Sequence, residues 1–250
     1  MGTLDPMASG VLPVAIGNSA RLFDYFLNKS KTYIAVFKFG IDTDTLDTTG
    51  EIISDAGRIP TADEIESVLS EFIGSIEQVP PRYSAKCVNG KRGYQLARDG
   101  VQFELTPKKV KIDGFKLLER KSDNEYSFEI NCGGGTYIRS IARDLGARLN
   151  TCAVMSGLVR TKSGPFTIEN SVQTKNLSLQ NLGDHIIKTQ DVLSFEEIYP
   201  SATEAKKLMN GLAVDCGKAD GIYKFYDANG SFYGLAEVKE NILKVRTKLC

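Results

Sequence analysis

Tryptophan is absent from this chain of 250 residues, histidine occurs once, as His185, and basic and acidic residues cancel at 31 each. Each scarcity removes a class of function. One histidine cannot build a histidine-based metal site, and a cysteine-only site would need four scattered thiols to converge, so metal-dependent hydrolysis is not expected. A Ser-His-Asp triad would depend on that single imidazole. The five cysteines (Cys87, Cys132, Cys152, Cys216 and Cys250) form no Cys-x-x-Cys pair and are odd in number. That is the pattern of reduced thiols in a cytoplasm rather than of a disulfide framework. No apolar run reaches the ~18 residues of a membrane-spanning helix. The opening Met1-Gly2-Thr3-Leu4-Asp5-Pro6 has neither the basic nor the apolar stretch of a secretory signal.

What is present suits a globular protein: 42% hydrophobic and 25% charged residues, in a chain long enough for one large or two modest domains. The charge is segregated. Residues 42–77 hold ten acids and one base, Arg58; residues 82–120 hold ten bases and four acids; residues 135–165 set five bases against Asp144. Such a chain presents a basic face to a polyanion despite its zero net charge. Solvated charged faces would give the same pattern.

Periodicity places the elements. An apolar run at 10–17 ends in glycine, and 18–27 follows at helical spacing with Asn18 or Ser19 as N-cap. Residues 32–40 are β-branched and aromatic and predict a strand. Thr61-Ala62-Asp63-Glu64 has the capping-box form ahead of an amphipathic helix that Gly74 closes. A short helix is expected at 94–98, strands at 110–118 and 126–132, and a helix at 136–146 after Gly133-Gly134-Gly135. Past about residue 190 the texture changes to a helical turn at 205–208 and three short strands (221–226, 231–237, 242–246) with Asn229-Gly230 as a hairpin signal. A domain boundary is therefore expected near 191, dividing 1–191 from 192–250.

Four segments could carry chemistry. Gly2-Thr3-Leu4-Asp5-Pro6 puts a carboxylate on an extended or turning loop, because Pro6 biases Asp5 away from helix; alone, it reads as a turn-capping aspartate. Gly135-Thr136-Tyr137-Ile138-Arg139 offers a phenol and a guanidinium after a glycine joint, with Arg143 one turn on. Lys31-Thr32-Tyr33 supplies a ring ahead of a strand. Residues 80–94, with Arg82, Lys86, Lys91, Arg92 and two tyrosines, interleave cations with rings, as an RNA strand requires: charge for phosphate, rings for splayed bases.

The order GTLDPxASGVLPVAIGxSAR, KTYxAxFKFGxDTDTLDTTG, PPRYSAKxVNGKRxYxLAR, GGTYIRSIARDLGxxL and LVRTKSGPF resembles the tRNA pseudouridine synthase B family across residues 2–169. The tail resembles the small β-rich PUA-type RNA-binding domain of that family. The resemblance implies an α/β (α+β) fold: a mixed, mainly antiparallel sheet flanked by helices, plus a small PUA-like C-terminal domain. It implies isomerisation of uridine 55 in the T arm of tRNA, without cofactor or metal, by a cytoplasmic monomer. Asp5 matches the family's essential aspartate, Arg139 its active-site arginine and Tyr33 the tyrosine that stacks on the flipped base and assists proton removal at C5. Leu158 matches an apolar wall of the pocket and Tyr137 a supporting ring. Lys86, Lys91, Arg92 and Arg143 would grip the RNA backbone as the base leaves the stack.

The family's amino-terminal segment, with a Gly-His-Thr before Gly-Thr-Leu-Asp-Pro, has no counterpart here; Met1 stands where that threonine would be. Three expectations follow: an open sheet edge with unpaired backbone groups, a poorly anchored stretch at 2–9, and an Asp5 beyond hydrogen-bond reach of Arg139 or held there only by lattice or partner contacts. A catalytically impaired tRNA-binding or tRNA-folding module that keeps the fold is the alternative reading.

Overall fold

The computed structural model describes residues 2–27, 29–55, 57–84, 86–88 and 90–249, so the expectations on Met1 and Cys250 lie outside the described residues. In chain order the elements are β1 (Ser9–Gly10), a 3-10 turn, α1 (Phe23–Leu27), β2 (Lys31–Phe39), β3 (Asp42–Thr43), β4 (Ile52–Ser54), α2 (Ala62–Leu69) and β5 (Gly74–Gln78). There follow β6 (Cys87–Val88), β7 (Lys91–Arg92), α3 (Gly93–Arg98), β8 (Lys108–Arg120), β9 (Glu125–Cys132), α4 (Ile138–Arg148), β10 (Ala153–Ser163) and β11 (Phe166–Thr167). The last elements are β12 (Glu196–Ile198), α5 (Ala202–Met209), β13 (Val214–Asp215), β14 (Gly221–Tyr226), β15 (Phe232–Lys239) and β16 (Ile242–Lys248). They form two compact units: Gly2–Pro13 with Leu27–Ser171, and Val14–Phe26 with Val172–Cys250.

In the first unit the sheet runs β1-β10-β2-β9-β8-β5, with β11 folded back on β10. Every pairing is antiparallel except β1 with β10. Alternation along β2 buries Lys31, Tyr33, Ala35, Phe37 and Phe39 and leaves the residues between them half-buried. Against this face pack Ile65, Val68 and Leu69 of α2 and Ile138, Ile141, Ala142 and Leu145 of α4. The centre is aromatic: Phe128 lies 4.9 Å from Phe37 and 5.4 Å from Phe115, and Phe72 lies 5.8 Å from Phe115. Each such ring contributes about 1.5–3 kcal/mol by leaving water. The capping box at Thr61 forms, with Glu64 Oε2 accepting from the Thr61 amide at 2.8 Å.

The second unit contains a five-stranded sheet ordered β12-β14-β15-β16-β13, with β12 parallel to β14 and the rest antiparallel. Its core joins Ile198, Leu208, Tyr223, Phe225, Tyr233, Val238 and Leu243. The fold is thus mixed α/β, mainly antiparallel, with a β-rich C-terminal portion. The helical turn expected at 205–208 is a full helix, α5, begun by a second capping box at Ser201 and Glu204. The helix expected at 18–27 is instead a 3-10 stretch, Gly17–Leu22, running into one turn of α1, with Ile16 rather than Asn18 or Ser19 at its start. Among the described residues no helix is long and apolar enough to cross a membrane.

Among the described residues, the open edge expected beside the sheet is covered in part along β10. Val11 N donates to Arg160 O (2.8 Å), Thr48 N donates to Met155 O (3.0 Å), Met155 N donates to Leu46 O (3.1 Å), and Ile168 N donates to Thr161 O (2.9 Å). Short segments from three parts of the chain meet β10 in turn and pair the Met155, Arg160 and Thr161 groups without a long partner strand.

Candidate active site

The Asp5 loop is fastened at several points. Ala8 N donates to Asp5 O at 2.9 Å and closes a turn over Pro6-Met7, Met7 and Ala8 pack on the core, and Ser9–Gly10 joins β10. Gly10 has φ +106°, and a Cβ there would lie 2.2 Å from Arg160 O, so only glycine permits this approach. The expectation of a poorly anchored 2–9 stretch is therefore overturned. So is the expected separation from Arg139: Asp5 Oδ2 accepts from Arg139 Nε at 3.1 Å and Oδ1 from Nη2 at 2.9 Å. The partners come from β10 and α4, elements remote in sequence from the loop they hold.

Arg139 is the second residue of α4, whose start is clamped to the end of β5. Gln78, 1% exposed, accepts from Tyr137 N at 2.8 Å and donates to Tyr137 O at 3.1 Å. Ser140 Oγ donates to Val79 O at 2.8 Å. The guanidinium, 7% exposed in its side chain, uses its whole fork: besides Asp5, Nη1 donates to Thr45 O (2.9 Å) and Nη2 to Tyr83 O (2.9 Å). Nη1 also lies 3.4 Å from Asp47 Oδ2.

Asp47 is a site residue that the sequence reading passed over. Its Oδ1 accepts from Thr45 Oγ1 (2.8 Å), Thr49 N (3.0 Å) and Thr49 Oγ1 (2.5 Å), and its carbonyl accepts from Thr43 Oγ1 (2.7 Å). Leu46, just before it, adopts φ +61°, a left-handed conformation that costs a branched residue about 1–2 kcal/mol. The surrounding bonds impose that conformation and so aim Thr45 O and Asp47 at Arg139. The signal was available in Thr-x-Asp-x-Thr spacing, which favours side chain-to-backbone bonds within a turn.

Tyr33 lies on β2, 7% exposed, opposite Arg160 of β10. Burial above all pushes its phenol up to about 12, with Cys132 and Asp5 adding and Arg160 opposing. Leu158, also 7% exposed, sits two residues earlier on β10 in the same apolar cluster as Tyr33. Asp5 and Arg139 thus come together, the Asp5 charge acts on the Tyr33 phenol, and Tyr137 stands at the head of α4, half-buried.

The basic residues are arranged differently. Lys91 and Arg92 are exposed on the β6–β7 hairpin, and Lys86 Nζ donates to Thr106 O at 3.0 Å. They share the 82–98 segment with Tyr83, whose carbonyl reaches Arg139. Arg143 is engaged: Nε donates to Asp144 Oδ1 at 2.8 Å and Nη2 to Val79 O at 3.1 Å. Beside Tyr83, the buried Ser84 Oγ has no hydrogen-bond partner among the described residues. No cluster of three metal-ligating side chains occurs among them.

Chemically, a carboxylate whose side chain is 31% exposed is gripped in plane by a buried guanidinium that also serves a second carboxylate. Two carboxylates on one guanidinium leave a formal charge of about −1, suited to a reaction that develops positive charge on its substrate.

The family model for the TruB family pseudouridylate synthase (N terminal domain) matches residues 1–138. The chain is 38% identical to the tRNA pseudouridine synthase B of Clostridium perfringens (strain 13 / Type A), covering 99% of this chain and 87% of that protein. It is 40% identical to the protein of the same name from Borrelia garinii subsp. bavariensis, covering 86% and 75%. Among solved structures, a chain from "Crystal Structure of a Cbf5-Nop10-Gar1 Complex" superposes with a TM-score of 0.71 at 23% identity, over 100% of this chain and 75% of that one. At that identity the likeness concerns the fold alone.

Proposed function

The chain belongs to the TruB family of pseudouridylate synthases, and from that premise we propose that it isomerises uridine 55 in the T arm of tRNA to pseudouridine, with Asp5 as the catalytic carboxylate. The tRNA named for its relatives supports the substrate class. In this reaction the N1–C1′ bond breaks, the uracil turns over, C5 bonds to C1′, the C5 proton departs and N1 takes one up. Atoms balance and no electrons are exchanged.

The observation that carries the reading is the bidentate hold of Arg139 on a half-open Asp5. Cleavage develops positive charge at C1′, and a fixed carboxylate stabilises it, attacks it or takes the 2′ proton. The guanidinium fixes which oxygens point where, and Asp47 offsets its charge, so Asp5 keeps its own negative charge for the substrate.

A uridine inside a folded T loop must leave its stack to reach such a pocket. Tyr33 then lies under the base and takes part in proton removal at C5, with Leu158 as an apolar wall and Tyr137 as a supporting ring. Lys86, Lys91, Arg92 and Arg143 serve the phosphates as the base turns out. In this reading residues 1–191 carry the chemistry and 192–250 act as a PUA-like RNA-binding domain. The protein works as a cytoplasmic monomer without cofactor.

The test is tritium release from tRNA labelled at uracil C5. The expected result is release of the label at position 55 and none from a transcript carrying cytidine there. Absence of release with tRNA binding retained would replace this reading with that of a binding or folding module.

A further inference from the structure

We infer that Arg160 is a positioning residue of this site: its guanidinium straps both ends of the Asp5 loop, an assignment that rests on the function proposed above. Arg160 heads the fully buried side chains at 1% exposure. Its Nε donates to Val11 O at 2.8 Å and its Nη2 to Gly2 O at 3.0 Å, carbonyls on either side of Asp5 in the chain. Its own carbonyl accepts from Val11 N at 2.8 Å, and its backbone is the surface that Gly10 meets without a Cβ. It stands opposite Tyr33 in the β2–β10 register, and its charge opposes the rise that burial gives the Tyr33 phenol.

This arrangement is not what packing alone would select. Among the described residues Arg160 has no carboxylate ion pair. Lys31, also buried at 6% exposure, spends its ammonium on Leu27 O (2.9 Å) and Lys29 O (3.1 Å), and burial and then the Arg160 charge lower its pKa. A buried cation without a counter-charge is costly, and an apolar side chain of similar volume would fill the space more stably. What the guanidinium provides is two N–H directions at once: to the start of the loop and to its end. Lysine has a single nitrogen on a flexible stem and cannot span them. Arg139 grips the Asp5 carboxylate, whereas Arg160 grips the backbone that carries it.

The experiment compares Arg160→Lys, Arg160→Gln, Tyr33→Phe and the double variant Arg160→Lys/Tyr33→Phe with the parent full chain. Single-turnover tritium release, tRNA affinity, thermal melting and hydrogen exchange are measured on each. The expected single-turnover rate of Arg160→Lys is about 10²-fold below the parent, the loss typical of a misplaced catalytic group. Its tRNA Kd should stay within about three-fold, because the lost interaction matters in the transition state. The Ala8 and Val11 amides should exchange roughly ten-fold faster, while those of β9 keep the parent rate. In the double variant the two losses should combine to less than their product, since Tyr33 faces Arg160 across the β2–β10 register and neighbouring residues couple.

A parent-like rate in Arg160→Lys would overturn the assignment. So would equal losses in rate and tRNA binding, or faster exchange spread uniformly over β9. Failure of both Arg160 variants to fold would make the residue purely structural and equally overturn it. A parent chain that releases no tritium refutes the proposed function instead, and the exchange at Ala8 and Val11 still decides whether the strap exists.

Discussion

Replacing Arg139 with lysine keeps the charge and discards the fork. In the native site three nitrogens serve four acceptors: both Asp5 oxygens at 3.1 and 2.9 Å, Thr45 O at 2.9 Å and Tyr83 O at 2.9 Å. A lysine ammonium reaching the same space keeps one Asp5 contact and at most one carbonyl. It leaves one part-buried carbonyl and one carboxylate oxygen without their donors. An orphaned buried acceptor costs about 1–3 kcal/mol, so the substitution should destabilise the first unit by about 2–4 kcal/mol. That corresponds to a fall of roughly 4–16 °C in its melting transition. The catalytic loss is separate. Asp5 would be free to rotate about the remaining contact, and losing one preorganised electrostatic contact costs about 10²–10³-fold in rate. Single-turnover tritium release measures the rate, filter binding the tRNA affinity, and differential scanning calorimetry the stability. A variant that turns over at the parent rate would refute the claim that planar, bidentate geometry is what the site needs. A rate loss matched by an equal loss of affinity would show that Arg139 acts on binding instead.

Asp47→Asn keeps the threonine bonds and removes the counter-charge on Arg139; a charge-assisted contact worth about 1.5–3 kcal/mol gives an expected rate loss of about 10- to 100-fold with tRNA affinity unchanged, and an unaltered rate would remove Asp47 from the site. Gly10→Ala sets a Cβ 2.2 Å from Arg160 O at a φ of +106°, so the Asp5 loop should be pushed off β10 and single-turnover rate should fall about 10²-fold; a fully active variant would show that the close approach is dispensable. Alkaline stability should decline in two stages. Cys132 is pushed by burial from 9.0 to about 11, and Tyr33 from 10.0 to about 12, so both hold their protons more tightly folded than unfolded. The stability they lend is complete below the ordinary values and is lost as pH rises through 9–11 and 10–12, on the order of 2–3 kcal/mol each. In melts recorded from pH 8 to 12, Cys132→Ala should remove the lower stage and Tyr33→Phe the upper, and profiles unchanged by either would contradict the burial assigned to these groups.

The elements legible in the sequence are those with local causes. β2, β8, β9, α2 and α4 announce themselves by alternation, helical spacing or a capping box, and each lies within a few residues of its expected place. β10 does not. Its Ala153–Ser163 stretch mixes Ser156, Gly157, Arg160 and Lys162 with apolar residues and contains two register shifts, so no period of two shows. Yet it is a central strand, because its neighbours on both sides complete it. The same holds for the site. Asp5, Tyr33 and Arg139 could be named from the motifs they stand in, but the bonding of Asp5 to Arg139 could not, since the two are 134 positions apart along the chain. Asp47 looked like one acid among ten in an acidic stretch. Its burial depends on Met155 and Arg139, which local sequence does not reveal. The anchoring of the Asp5 loop was misjudged for a related reason: Arg160 looked like one base in a basic run, and only the folded register turns it inward.

The central claim is that this constellation performs pseudouridine formation through Asp5. The most direct measurement is single-turnover tritium release from C5-labelled tRNA by the parent chain and by Asp5→Asn, with tRNA affinity measured in parallel. Asparagine keeps the shape and removes the charge that must face C1′, so the account predicts release by the parent at uridine 55. For the variant it predicts a loss of roughly 10²-fold or more, with affinity held within a few-fold. Release by Asp5→Asn above about 1% of the parent rate, on that same scale, would contradict the account, because the reaction would then be proceeding without the carboxylate that the whole arrangement holds in place.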